Sequence, residues 1–398
     1  MHRALKAARQ MALGLCATKV MSPRPFAREI FATRMVFFTV GVMIAAWAPL
    51  VPLAKARVGL DDGQLGLMLL GLGIGGLITM PLTGPMTAVW GFRRVILAMF
   101  CAGVLVLPAL TVFDGFWAMT IALVLFGGAI GSTDVAMNLH AAEIERMAAR
   151  PLMSNFHGMW SIGAFAGSAG MSVLLSFGLM PIFAATLISA LSFVLTIFVA
   201  KGLLPKPATP SDEPLFVVPR GSIIVLGAIC FCVYLSEHAV LDWSAVFLTS
   251  IKDMSAGNAG FGYAVFAFSM TLTRFVGDRL RARLGDVNVY VLGGLLAAIG
   301  YILIGAVGGI VGPFIGFALV GAGVANLVPI IFSAAGRARA MPSHLALTAV
   351  ATVAHGGLLF GPAIVGFVSH ATSLTSAFIL LGGLMIFVTL NVRSLSRV

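Results

Sequence analysis

Gly127-Gly-Ala-Ile-Gly131-Ser-Thr-Asp134-Val-Ala-Met-Asn138 lies inside an apolar segment, Phe116 to His140, long enough to cross a bilayer as a helix. An acid at the centre of such a helix costs roughly 2.5–3.5 kcal/mol on insertion scales. At helical spacing Gly127, Ile130, Gly131, Asp134 and Asn138 share one face. The glycines let a second backbone approach, while Asp134 and Asn138 require polar partners or water. The stretch therefore reads as the lining of a polar cavity within a membrane protein.

Composition agrees. Of 398 residues 60% are hydrophobic and only 10% charged, against about a quarter charged in soluble domains. Mean hydropathy is +1.05, and so little charge cannot cover a water-facing exterior. The net charge of +11 does not indicate a nucleic-acid partner, because the basic residues flank apolar spans, as membrane topology requires. Cys16, Cys101, Cys230 and Cys232 suit neither a disulfide framework nor a zinc site, so free thiols are expected.

Twelve apolar spans follow a basic tail at residues 1–29. The fourth is 116–140, the fifth 156–179, the seventh 222–249, the tenth 311–335 and the eleventh 344–370. The segment 201–221, rich in proline and charge, divides them into six-span halves at 30–200 and 222–393. The halves echo each other. Span 5 holds His157-Gly-Met-Trp160-Ser-Ile-Gly163, and span 11 holds His355-Gly-Gly-Leu-Leu-Phe-Gly361. The loops after spans 2 and 8 are both basic turns between glycines, Gly84 to Gly91 with Arg93 and Arg94, and Gly277 to Gly285.

On these features the chain resembles the major facilitator superfamily over residues 30–393. The resemblance implies an all-α membrane protein of twelve helices in two six-helix bundles, working by alternating access. Arg274-Phe-Val-Gly277-Asp278-Arg279-Leu-Arg-Ala-Arg283 looks like the family's cytoplasmic gating motif. The first-half copy has Ala88 where that motif carries its acid, leaving Arg93 and Arg94 to meet Glu143 or Glu145. Ser132 to Asn138, Phe156 to Ser161 and Leu241-Asp242-Trp243 are similar to the branch holding fucose–proton symporters, YbjJ-type inner-membrane proteins and rhizopine transporters. Span 1 lacks the acid that the fucose symporters carry there.

Span 7 supplies other acids. Tyr234, Glu237, His238, Leu241 and Asp242 fall on one helical face, with Glu237 near mid-membrane and Asp242 roughly 7 Å nearer the outside, toward an external vestibule. Burial penalises the charged form of a carboxylate, which lets an intramembrane acid tie solute movement to a proton. Asp134, Glu237 and Asp242 are therefore candidate coupling or solute-binding groups, each weighed against a structural acid bonded between helices. His157 and His355 are weighed against helix-packing roles, and Trp160 against packing between the bundles. Asn326 stands at an expected irregularity of span 10, where an amide reads solute hydroxyls. Arg274, four residues before Asp278, is expected to pair with it at an internal gate.

Phosphate-cradling loops, nucleophile elbows and metal-spaced Cys/His clusters are missing from the sequence, so neither an enzyme nor a bound cofactor or metal is expected. The expected partners are a small polar solute, protons and lipid, with a monomer as the working unit. Drug or metabolite efflux, and a non-transporting sensor or intramembrane enzyme, are the alternatives. Gly361-Pro362-x-x-x-Gly366 in span 11 faintly resembles an antiporter motif, which belongs in span 5.

With both termini inside, external loops hold only Lys55, Arg57 and Lys252 of 25 Lys and Arg. Reporter tags at residue 210 and at the C-terminus are thus expected in the cytoplasm of a bacterial inner-membrane protein, and a tag near Asp61 outside. An external tag at 210 overturns this orientation.

Overall fold

The computed structural model describes residues 26–206, 220–338 and 341–395; most of the tail at 1–29 and of the 201–221 segment lies outside them. Among the described residues there is no strand, and twelve helices are long and apolar enough to cross a membrane. A chain in hydrocarbon must satisfy its backbone internally, and helices do this without partners. In the first half these are α1 (Ala27–Val58), α2 (Asp62–Trp90), α3 (Phe92–Ala109), α4 (Phe116–Ala148), α5 (Met153–Ser176) and α6 (Pro181–Gly202). In the second they are α7 (Ser222–Ser250), α8 (Ala256–Leu284), α9 (Asp286–Ala306), α10 (Val311–Arg337), α11 (Leu345–Ala371) and α12 (Leu374–Leu395).

Where helices end, the sequence supplies the reason. Asp61 caps α2 through the Gln64 amide while the Gln64 side chain returns to the Asp61 amide, so both free donors are met. α4 runs eight residues past the apolar stretch. The α4–α5 turn is then held by Glu145, which accepts from the Leu152 and Met153 amides at 2.6 and 2.7 Å. α10 is broken between Val324 and Leu327, as the irregularity near Asn326 predicted. Pro329 has no amide hydrogen to give the Ala325 carbonyl, so one rung of the ladder is missing there.

Packing repeats with a step of six helices. α1 lies along α5 as α7 lies along α11; α2 along α4 as α8 along α10; α3 along α6 as α9 along α12. Glycine makes the closest of these approaches possible. A side chain at Gly127 of α4 would collide with the Leu72 carbonyl of α2, and one at Gly75 would collide with the Val124 carbonyl. Such backbone-to-backbone contact is how helices associate where hydrocarbon supplies no hydrophobic drive.

The halves meet along α2 with α11 and α5 with α8, pairs that the six-helix step interchanges. At the end carrying the 59–61 and 251–255 loops the contact is tight. A Cβ on Gly66 would sit 2.8 Å from the Pro362 oxygen, and one on Gly366 2.6 Å from the Asp62 oxygen. Asp62 accepts from Ser369 and pairs with Lys55, Asp61 faces His370 at 3.6 Å, and Ser168 donates to the Gly260 carbonyl at 2.9 Å. This end, the loop end, is closed.

At the opposite end the first residues of the connecting segment are stapled to the first half. Arg93 donates to the Leu203 carbonyl at 2.7 Å and to that of Lys201 at 3.3 Å. His140 Nε2 accepts from the Leu204 amide at 3.0 Å, so a neutral His140 carries its proton on Nδ1 and donates to Thr33, 3.2 Å away. A side chain at Gly91 would collide with the Pro205 carbonyl.

Because the Gly127 contact is backbone on backbone, Gly127→Val is expected to lower stability by roughly 1–3 kcal/mol, the range for overpacking. Gly84, with open space around it, tolerates alanine. Thermal unfolding in detergent checks the pair, and an unchanged midpoint for Gly127→Val would reject the contact.

Candidate functional site

Between the halves, on the terminus side of the closure, polar groups from five helices converge. α4 contributes Asp134 and Asn138, one turn apart and partly exposed; the Asn138 amide donates to the Asp134 carbonyl at 2.9 Å and leans on its carboxylate at 3.4 Å. α7 contributes Tyr234, Glu237 and His238, and α11 contributes His355. Asp134 is within electrostatic reach of His355 and Tyr234, so the acid of the first half faces the second. Tyr234 organises its side of the cleft, its ring 6.0 Å from that of His238 and 5.9 Å from that of His355.

The histidines have defined tautomers. His355 Nδ1 lies 2.7 Å from the Ala351 carbonyl and His238 Nδ1 2.9 Å from that of Tyr234. A carbonyl only accepts, so each Nδ1 carries hydrogen and each neutral ring keeps Nε2 as a free acceptor. His157, exposed at the terminus side of the cleft, sets its ring edge-on to Phe37 at 5.3 Å. Trp160, one turn further, is half-buried, and its indole N–H has no protein partner among the described residues.

Arg274 corrects a sequence expectation. It does not pair with Asp278; it turns into the cleft. Its Nη2 stands 3.6 Å from Glu237 Oε1, its Nη1 donates to Ser161 Oγ of α5 at 3.0 Å, and its Nε points at the Ala325 carbonyl at 3.4 Å. That last oxygen is the one Pro329 leaves without a helical donor. One guanidinium thus joins an acid of α7, a hydroxyl of the opposite half and the break in α10. Its alternative was Asp278, which is solvent-exposed, and a cation in the core is better compensated by a partly buried acid.

The other gate residues are also redistributed. Arg93 is spent on the Leu203 and Lys201 carbonyls, and Glu143 pairs with Arg146 within α4 at 2.6 Å, so neither makes the expected contact. Glu145 serves the α4–α5 turn, and Arg94 is exposed. Asp278, Arg279 and Arg283 are exposed as well. The ionic lock of this region is instead Arg281 with Asp286 at 2.7 Å, extended by Arg337 at 3.8 Å and by Ser333, which ties α8, α9 and α10 of one half.

Two further expectations change. Asp242 lies not in a vestibule but 5% exposed behind the closed loop end, within electrostatic reach of Tyr263. Asn326 is 8% exposed and its amide packs on Gly277 of α8, so it holds α10 to α8 and is not turned to the cleft. Ser161, quoted only as the end of the Phe156 to Ser161 stretch, is not among the sequence candidates, although its place four residues after His157 puts it on the same face. A shallow pocket at the loop end, bordered by Leu60, Thr249 and Met254, has Lys55 as its charged member, and Asp62 engages it.

Comparison with known proteins bears on what such a cleft belongs to. The sequence profile described as Major Facilitator Superfamily matches residues 31–345. An uncharacterized MFS-type transporter of Yersinia pestis is 45% identical over 374 residues, covering 94% of this chain and 97% of that one. The membrane protein MosC of Rhizobium meliloti is 30% identical over 359 residues, 87% of this chain and 85% of its own. Among solved structures, the nucleoside transporter NupG superposes with a TM-score of 0.75 at 14% identity, covering 93% of this chain and 99% of its own. The E. coli fucose:proton symporter FucP superposes with a TM-score of 0.61 at 16% identity, covering 93% and 99%. At these identities the two structures share the fold. With twelve spans, an inter-bundle cleft and that profile across most of its length, the chain is a multi-pass membrane protein that belongs to the major facilitator superfamily of transporters.

Proposed function

We propose that the protein is a secondary active transporter that carries a small polar solute, a sugar, inositol-like polyol or aminopolyol, across the bacterial inner membrane with proton coupling. Residues 30–200 and 222–393 act as the two rocking bundles, 201–221 joins them, both termini are cytoplasmic, and a monomer is the working unit. The observation that carries this reading is that Asp134, with Asn138 beside it on one bundle, is within electrostatic reach of Tyr234 and His355 of the other, and Tyr234 in turn of Glu237. A solute between them touches both bundles, which binding must do if it is to bias their rocking.

The chemistry of the lining supports the solute class. Carboxylates, an amide and free imidazole acceptors suit hydroxyl and amine hydrogens, and Trp160 offers a flat apolar face to a ring. NupG and FucP, one a nucleoside transporter and the other a fucose:proton symporter, are consistent with polar, ring-shaped cargo. The efflux reading gains nothing from Gly361-Pro362-x-x-x-Gly366, because Pro362 and Gly366 serve the close approach of α11 to Gly66.

A thermal-shift screen of purified protein against sugars, inositols and amines identifies the cargo, since ligand at a hundredfold its Kd stabilises by about 2.7 kcal/mol. In proteoliposomes with that cargo, Asp134→Asn is expected to remain folded and lose concentrative uptake at least tenfold. Normal gradient-driven uptake by this variant overturns its role. Glu237→Gln is expected to stop proton-driven accumulation while counterflow of labelled cargo continues. Unchanged accumulation at every pH would make Glu237 a structural acid.

A further inference from the structure

We infer that Arg279 and Arg283 of α8 hold the headgroup of an anionic phospholipid from the leaflet at the terminus end. Both belong to the stretch expected to gate that end, yet both are exposed, and neither makes a hydrogen bond or ion pair with another described residue. At 3.6 residues per turn they share one arc of the helix, roughly 80° wide, with Phe268, Leu272 and Val276. Those three are exposed apolar side chains on a membrane-spanning helix, so the stripe faces hydrocarbon. It runs directly into two free guanidiniums.

The other charges of α8 are directed elsewhere. Arg274 turns into the cleft toward Glu237 and Ser161, and Arg281 is held by Asp286 and Ser333. Asp278, the neighbouring acid, is within electrostatic reach of Arg281 and lies off the stripe. α5 borders the stripe along its length. The ring of Phe165 lies 5.3 Å from that of Phe268, and a Cβ on Gly158 would sit 3.5 Å from the ring of Phe275. The seam between α5 and α8 gives an acyl chain an edge to lie along, above the two arginines.

Depth selects the chemistry. α8 ends at Leu284, so Arg283 and Arg279 stand roughly 1.5 and 7.5 Å from its end along the axis. Both are therefore at headgroup depth, where lipid phosphate is the counter-charge within reach. Residues four apart on a helix have Cβ atoms roughly 5–6 Å apart, so both guanidiniums can meet one phosphate. Arginine grips phosphate through two parallel N–H donors, which makes the pair a clamp. A zwitterionic headgroup carries a cation beside its own phosphate, and phosphatidylglycerol does not. Two uncompensated positive charges thus favour the anionic lipid.

The test reads lipid and needs no cargo. Purified protein in detergent is mixed with equimolar phosphatidylglycerol and phosphatidylcholine, and the lipids it retains are counted by native mass spectrometry. The wild-type protein is expected to prefer phosphatidylglycerol. Arg279→Gln with Arg283→Gln is expected to cut that preference roughly fivefold or more, about the effect of one basic residue near an anionic surface. Arg94→Gln with Lys201→Gln removes the same charge from the same end and is expected to leave the preference in place. A photoreactive benzophenone at Val276, which keeps both arginines, is expected to crosslink phosphatidylglycerol in preference to phosphatidylcholine, with excess inorganic phosphate unable to compete. Equal retention of the two lipids by the wild type, or an equal loss in the two double variants, overturns the inference. If Arg279→Gln with Arg283→Gln does not fold, a crosslink at Val276 without lipid preference overturns it. Displacement of the lipid by inorganic phosphate would mark a site for a free anion and overturns it too. Each of these outcomes leaves the transporter reading untouched, since that reading stands or falls on uptake.

Discussion

Hydrocarbon answers no hydrogen bond, and that constraint turns the polar groups buried within the spans toward another helix or toward the cleft. Arg274 is the strongest case. Its charge is met by Glu237, by Ser161 and by the Ala325 oxygen, so two bundles and a helix break are organised around one guanidinium. Proline makes this possible at a distance. By withholding an amide hydrogen at position 329 it frees the carbonyl that Arg274 reaches.

The same constraint shapes the contacts between helices. Without a hydrophobic drive, association relies on close backbone approach, and the glycines that permit it sit where α2 meets α4 and where α2 meets α11. The first contact lies within a bundle and is built into the fold. The second lies between bundles, at the closed loop end, and any movement that opens this end must part it. Asp62, Ser369, Asp61 and His370 add polar contacts at that junction, so closure combines backbone fit with ionic and hydrogen-bonded pairs.

The six-helix step in packing bears on function as well as descent. α2 with α11 and α5 with α8 are equivalent pairs, and the repeated His-Gly stretches lie on α5 and α11, one on each side of the cleft. Their local settings nevertheless differ: His355 has a fixed tautomer and an aromatic neighbour in Tyr234, while His157 sits against Phe37 and near Arg274. The repeat set the positions, and the neighbours set the chemistry.

Span count and the break in α10 were legible in the sequence, because each depends on local hydropathy or a single proline. Partner choice was not. Arg274 has Asp278 one helical turn away, and in an isolated helix that pair is the reasonable expectation; only the approach of α7 and α5 offers it Glu237 and Ser161. Asp242 and Asn326 look alike in one dimension, as polar residues in apolar spans, yet the packing of neighbouring helices buries both. Periodicity says which face of a helix is polar. Which other helix that face meets is decided by contacts between residues a hundred or more positions apart, and these exist only in the folded bundle.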